Sequence, residues 1–352
     1  MPMLWMADMC ADADQNAALR YIVEGSGHFD KASTVEYLGW FNNTHLPNVE
    51  LVCQCTQYKR LITIASDWTE NLSFLSQLPS AGTVAAPLTQ PDDAISVDAF
   101  DPAKVYVAVV VSDGDNIAQD WSNLRPMIER RVTLRSRVPV SWSVSNRWST
   151  FGGPVLRWFY EMAASTEGMD SFLMGPSGYG YLFPGAIVNE SARHEFASRT
   201  IEAAAALSME GYVHWDVDES LDPSSPSRAE EIIARYNGSH AIKGAFMLGT
   251  VPVPDQIGDV VAINHPALPW GFDDPESAAA TLNALPNGSI TYAYTNLKAD
   301  PALIDAMAAK LDDRIVLLGY RELFRVAAMK VKGSVATHAR VSTSKPHKAP
   351  AA

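Results

Sequence analysis

Cysteine is scarce in this chain of 352 residues: there are three, Cys10, Cys53 and Cys55, all before residue 60. An odd number so confined excludes a disulfide scaffold and favours a reduced compartment. Five Asn-x-Ser/Thr sites, at Asn42, Asn71, Asn189, Asn237 and Asn287, pull the other way, towards export. The compartment therefore stays open. No apolar run approaches the roughly 20 residues of a membrane span. The first residues, MPMLWMADMCADADQN, show neither the basic flank nor the long apolar core of a secretory signal. Basic residues are outnumbered 27 to 40, and the net charge of -13 argues against nucleic acid or an anionic membrane as partner. The segment 331–352 reverses that sign, with Lys332, Arg340, Lys345 and Lys348 facing no acid, and reads as a disordered tail.

Several chemical signatures are also missing. There is no Gly-x-Gly-x-x-Gly and no phosphate loop, so no nucleotide is expected. There is no Gly-x-Ser-x-Gly elbow for a nucleophilic serine. The eight histidines contain no pair at helical spacing of the kind a metal-dependent deacetylase needs. Asp113, Asp115 and Asn116 offer oxygen ligands to calcium or magnesium, but three neighbours in a row do not make a cage. No cofactor or metal is expected. Nothing in the sequence fixes the oligomeric state.

What is present is a composition, 47% hydrophobic and 19% charged, that suits a globular chain of two domains. Residues 1–78 alternate helix and strand signals: helices over 14–24, 49–59 and 71–78, strands over 34–40 and 61–65. This is the pattern of a small α/β domain. Residues 79–102 hold four prolines and read as a linker. From 103 to 330, short apolar runs recur at 105–111, 138–144, 171–174, 212–215, 244–248, 259–263, 289–294 and 315–318, with helical stretches between them. Asp274-Pro275 and Asp300-Pro301 each place an N-cap before a proline suited to the first helical turn. Near-continuous apolar strands separated by helices mark a parallel sheet. Eight units point to a TIM-like (β/α) barrel of seven or eight strands, with an open doubly wound sheet as the runner-up. His214 sits in a strand pattern and reads as core or wall.

The stretch with the most unusual composition is 175–185, GPSGYGYLFPG. Glycines let a ligand or another backbone come close, and three rings cannot all be buried by so short a loop. Gly178-Tyr179-Gly180-Tyr181-Leu182-Phe183-Pro184 resembles the GxGYxYP signature of a family of glycoside hydrolases, with Phe183 where the pattern has tyrosine. Ser112-Asp113-Gly114-Asp115-Asn116 is similar to that family's strand-end SDGDN. Ser66-Asp67-Trp68, followed by Asn71-Leu72-Ser73, is similar to a stretch in its N-terminal part. The resemblance covers about residues 35 to 325. It implies a TIM-like barrel behind a smaller N-terminal domain, truncated here, and a hydrolase acting on a glycan. It also implies that Asp67 and Trp68 close the cleft.

In a barrel the site lies at the carboxyl ends of the strands. Residues following successive strands supply Asp113, Asp115 and Asn116; Asn146 and Arg147; Gly178, Tyr179 and Tyr181; Asp216; His265 and Trp270; Asn296; and Glu322. Rings to stack on pyranose faces and side chains to bond hydroxyls are what sugar binding needs. Glycoside hydrolysis takes two carboxyl groups, one protonated and one ionised. Asp113, Asp115, Asp216 and Glu322 are the candidates for that pair, and like charges two residues apart raise one pKa. The plainer reading is that Asp113 or Asn116 caps the next helix. The expected function is a glycosidase acting on an oligo- or polysaccharide. The alternatives are a non-catalytic carbohydrate-binding barrel and a metal-dependent hydrolase or deacetylase.

Overall fold

The computed structural model describes residues 21, 35–38, 61–65, 77, 88–112, 114, 116–187, 189–216, 228–248, 252–269, 271–295 and 300–343. The helices expected within 1–78 lie outside the described residues apart from Tyr21 and Gln77. Two strands from this part are described. They are β1 (Val35–Leu38) and β2 (Leu61–Ile64), paired in parallel with Glu36 opposite Ile62.

From residue 105 the alternation expected from the apolar runs forms. The strands are β3 (Val105–Val111), β4 (Val140–Val144), β5 (Asp170–Met174), β6 (Gly211–Trp215), β7 (Gly244–Leu248), β8 (Gln256–Ile257), β9 (Val260–Ile263), β10 (Ile290–Thr295) and β11 (Ile315–Leu318). Helices α1 (Ile117–Gln119) and α2 (Arg125–Leu134) follow β3, and α3 (Trp148–Phe151) and α4 (Gly153–Ala164) follow β4. Then come α5 (Glu190–Leu207), α6 (Ala229–Ala234), α7 (Pro275–Asn283), α8 (Pro301–Ala308) and α9 (Tyr320–Thr343). Both Asp-Pro signals act as expected. Asp274 accepts from the amides of Glu276 and Ser277 at 3.1 Å, and Asp300 accepts from Ala302 at 2.8 Å.

The sheet runs β10-β3-β4-β5-β6-β7-β9-β8. Every strand pair is parallel except β8 with β9, the short hairpin that replaces a helix after β7. The regular eightfold order is not followed. β11 pairs with the first half of β3, Ile315 opposite Val105 and Leu318 opposite Ala108, while β10 holds the other edge and β4 joins only at Val110 and Val111. The chain after β9 is tied to β10 by a bridge between Leu268 and Ala293.

Period-two alternation divides the core into two layers. Val105, Val107, Val109 and Val111 pack with Trp142, Phe172 and the helices. Tyr106, Ala108 and Val110 turn to the opposite face, where they meet Phe246, Tyr292, Tyr294 and, from α9, Leu323 and Phe324. Gly211 and Gly244 open β6 and β7 because a Cβ there would fall 2.5 and 2.6 Å from the Phe324 ring. α9 therefore covers the amino ends of the strands. It also continues to Thr343, past residue 331, where the sequence suggested that order ends. No proline intervenes before Pro346, and the alanine- and arginine-bearing turns carry the helix onward.

The segment 88–102 lies against the sheet. Gln90 bonds the main chain of Phe172 in both directions and the carbonyl of Ser208.

Candidate functional site

The carboxyl ends of β3 to β6 carry the candidate site. Gly114 packs on β4 so closely that a Cβ would lie 2.0 Å from the carbonyl of Ser143, and its amide donates to Ser143 Oγ at 3.0 Å. Asn116 does the plainer of its two expected jobs: its Oδ1 accepts from Ala118 at 2.9 Å and Gln119 at 3.3 Å, capping α1. Its neighbour Ile117 donates to Ala65 just after β2. Asn146, after β4, donates to the carbonyl of Gly178 at 2.6 Å and so ties the β4 loop to the glycine-rich loop.

Each signature glycine answers a close approach. Gly178 has a φ of +98° and faces Thr200, Gly180 lets Ile62 of β2 come within 2.5 Å of where a Cβ would be, and Gly185 rests on the Asp216 carboxylate. Tyr181 bridges to Thr63, its amide donating at 2.7 Å. The loop is thus a platform on which the N-terminal strands dock.

Asp216 lies under that platform. It is fully buried, and its Oδ1 accepts from Gly185 at 3.1 Å. Its Oδ2 lies 3.4 Å from Nε2 of the buried His214, whose Nδ1 is 3.1 Å from the Tyr212 hydroxyl. These three residues share the helix-facing side of β6, as the core reading of His214 requires. Asp216 is thus an anchor of the loop.

The rings divide between wall and rim. Tyr181 and Phe183 are buried and pack against Trp215, with ring centroids 5.5 and 5.4 Å away. The position at which tyrosine became phenylalanine is therefore an apolar contact. Trp215 itself, the last residue of β6, is half-buried.

Tyr179 belongs to an ionic cluster. Its hydroxyl donates to Glu36 Oε1 at 2.9 Å, and the same carboxylate accepts from Arg147 and Arg199 at 2.8 Å each. The Arg147 guanidinium lies 4.2 Å from the Tyr179 ring centroid and that of Arg199 lies 5.4 Å away. Burial raises the Tyr179 phenol above its ordinary value. The Glu36 carboxylate adds to the rise, and Arg147 opposes it.

Glu322 is not part of this end. Its Oε1 accepts from Val97 at 2.5 Å, and its carboxylate pairs with Arg325. It lines a cavity of about 580 Å³ with Asp92, Glu210, Lys243, Asp259 and Phe324, beside the amino ends of β6 and β7. It lies there because β11 spans only the first half of β3, so the residues after it stay near the amino ends of the strands. His265 is exposed after β9, with a φ of +52°, and its carbonyl accepts from Thr291. Asp67, Trp68, Asp113, Asp115, Trp270 and Asn296 lie outside the described residues.

The structure thus brings Asn146, Arg147, Gly178 and Tyr179 together. Glu36, Arg199 and Trp215 were missed. Glu36 is one polar residue in a short strand, Arg199 resembles any cation on a helix surface, and Trp215 ends an otherwise buried strand. Among the described residues no group of three or more His, Cys, Asp or Glu side chains is gathered for a metal.

The model of the "GxGYxYP putative glycoside hydrolase C-terminal domain" matches residues 103–288. Among solved structures, a putative hydrolase from Bacteroides thetaiotaomicron is similar, at 18% identity and a TM-score of 0.68. The match covers 91% of this chain and 60% of that one, so this chain spans less than two thirds of its neighbour. A putative polysaccharide deacetylase from Mycobacterium smegmatis aligns at 12% identity and a TM-score of 0.41, over 75% of this chain and 99% of that one. No curated protein matches the sequence.

Proposed function

The chain belongs to the GxGYxYP family of putative glycoside hydrolases, and from that premise we propose that it binds a glycan at the carboxyl ends of β3 to β6 and hydrolyses it there. The observation that carries this reading is Trp215. It is a half-buried indole at a strand end, backed edge-on by Phe183 and at a tilt by Tyr181. An indole at a strand end is the kind of ring on which the C–H side of a pyranose stacks. Arg147 and Tyr179 stand on the neighbouring loops, where the Tyr179 hydroxyl, already donating to Glu36, keeps a lone pair to accept from a sugar hydroxyl.

For the chemistry we assign Asp113 and Asp115 as the acid and base pair. They follow strand β3, and Gly114 between them is pressed onto β4. One would protonate the leaving oxygen while the other acts as nucleophile or as base for water.

The test is a panel of chromogenic glycosides and polysaccharides. Wild type should turn over at least one. Asp113→Asn and Asp115→Asn should each lower kcat by roughly 10²-fold or more. Trp215→Ala should raise KM about tenfold, the loss of one stacked ring. Binding without product would favour the non-catalytic barrel, and neither binding nor turnover across the panel would contradict both.

A further inference from the structure

The cavity beside the amino ends of β6 and β7 has about 580 Å³, a volume suited to a small molecule. Phe324, Val261 and Ala328 give it an apolar side, the Phe324 ring fitting against Gly211 and Gly244. Glu210 and Lys243 also line it. Each stands one residue before its strand, and the strands begin in register, Gly211 opposite Gly244. The amide of Lys243 donates to the carbonyl of Glu210 at 2.7 Å, so the two residues are direct neighbours. Opposite charges on adjacent strands commonly pair. These do not: among the described residues neither side chain makes a hydrogen bond or an ion pair, and Glu210 bears on Arg321 through charge alone. Most other charges on the lining are matched. Arg321 pairs with Asp93 at 2.6 Å, Arg325 pairs with Glu322, and Asp259 accepts from the Gly238 amide at 3.0 Å. Asp92 adds one more exposed carboxylate.

We propose that this cavity binds a small zwitterion, an α-amino acid with an apolar side chain. Its ammonium group faces Glu210 and Asp92, its carboxylate faces Lys243, and its side chain rests against Phe324 and Val261. Hydrogen bonds between ionised groups are the stronger kind, and an α-amino acid carries one group for each sign of the lining. A neutral sugar would leave both signs unanswered. A phosphate would meet two carboxylates for one ammonium. The inference goes beyond the glycan reading and does not rest on it, since the two sites lie at opposite ends of the strands.

The experiment titrates the full chain by calorimetry with L-leucine and L-phenylalanine, with N-acetyl-L-leucine, which lacks the ammonium group, and with L-leucinamide, which lacks the carboxylate. Wild type should bind the two amino acids and hold each blocked compound about tenfold or more weakly. Glu210→Gln should weaken L-leucine about tenfold and leave N-acetyl-L-leucine as it was. Lys243→Met, which keeps the methylenes, should weaken L-leucine about tenfold and leave L-leucinamide as it was. Should a variant melt far below wild type, the blocked compounds on wild type give the answer without mutation. No binding of either amino acid by wild type, blocked compounds that bind as well as L-leucine, or variants that lose all four compounds alike each overturns the proposal. None of these results bears on the glycan reading, which fails only on the glycoside and polysaccharide panel.

Discussion

At the scale of single residues, the glycine-rich loop shows how much a side chain's absence can carry. Gly185 is small because Asp216 is in its way, its own missing Cβ being 2.5 Å from Oδ2. Gly185→Ala should therefore cost about 1–3 kcal/mol of stability, since a buried carboxylate fixed by Gly185 and His214 cannot move aside cheaply. Denaturant unfolding of the variant checks this, and an unchanged midpoint would show that the loop yields. The sequence made the loop conspicuous, but the reason lay in partners far along the chain. Ile62, Thr200 and Asp216 each press on one glycine, and no local pattern names them. Asn116 was legible as a cap because capping is local. Glu36 was not legible, since its three donors come from after β4, from the loop and from α5.

At the scale of elements, apolar runs bounded by turn residues marked eight of the nine strands from β3 to β11 and missed the two-residue β8. Register and partner were not written there. β11 has the composition of a barrel strand, yet its four residues pair with only half of β3. That half-length pairing sends α9 across the amino ends and carries Glu322 away from the candidate site. Phe324, 2% exposed and set against Gly211, Gly244 and Phe246, should then be a pillar of the inner layer. Phe324→Ala should lower stability by about 3–5 kcal/mol, the usual cost of emptying a packed aromatic site. It should leave glycan affinity unchanged, because it acts at the opposite end. Thermal unfolding with calorimetric binding on the same preparation separates the two, and a loss of affinity without loss of stability would place the site wrongly.

At the scale of the molecule, the sheet is lined by phenols kept out of water. Burial raises Tyr160, Tyr212, Tyr236, Tyr292 and Tyr320 above the ordinary tyrosine value. In the unfolded chain these groups ionise near pH 10. Above that pH the unfolded state binds fewer protons than the folded one. The contribution of these phenols to stability should thus be level below about pH 10 and fall as pH rises beyond it. Exposed tyrosines such as Tyr21 should ionise first with the fold intact, the remaining tyrosinate absorbance should appear together with loss of circular dichroism, and ionisation of all twelve in an intact fold would contradict the burial.

The account stands or falls on which end of the sheet holds the sugar. The direct measurement is a crystal structure with a bound oligosaccharide. The account predicts a pyranose stacked on Trp215 at the carboxyl ends of β3 to β6. A sugar lodged instead among Asp92, Glu210 and Lys243, beneath the amino ends, would contradict it.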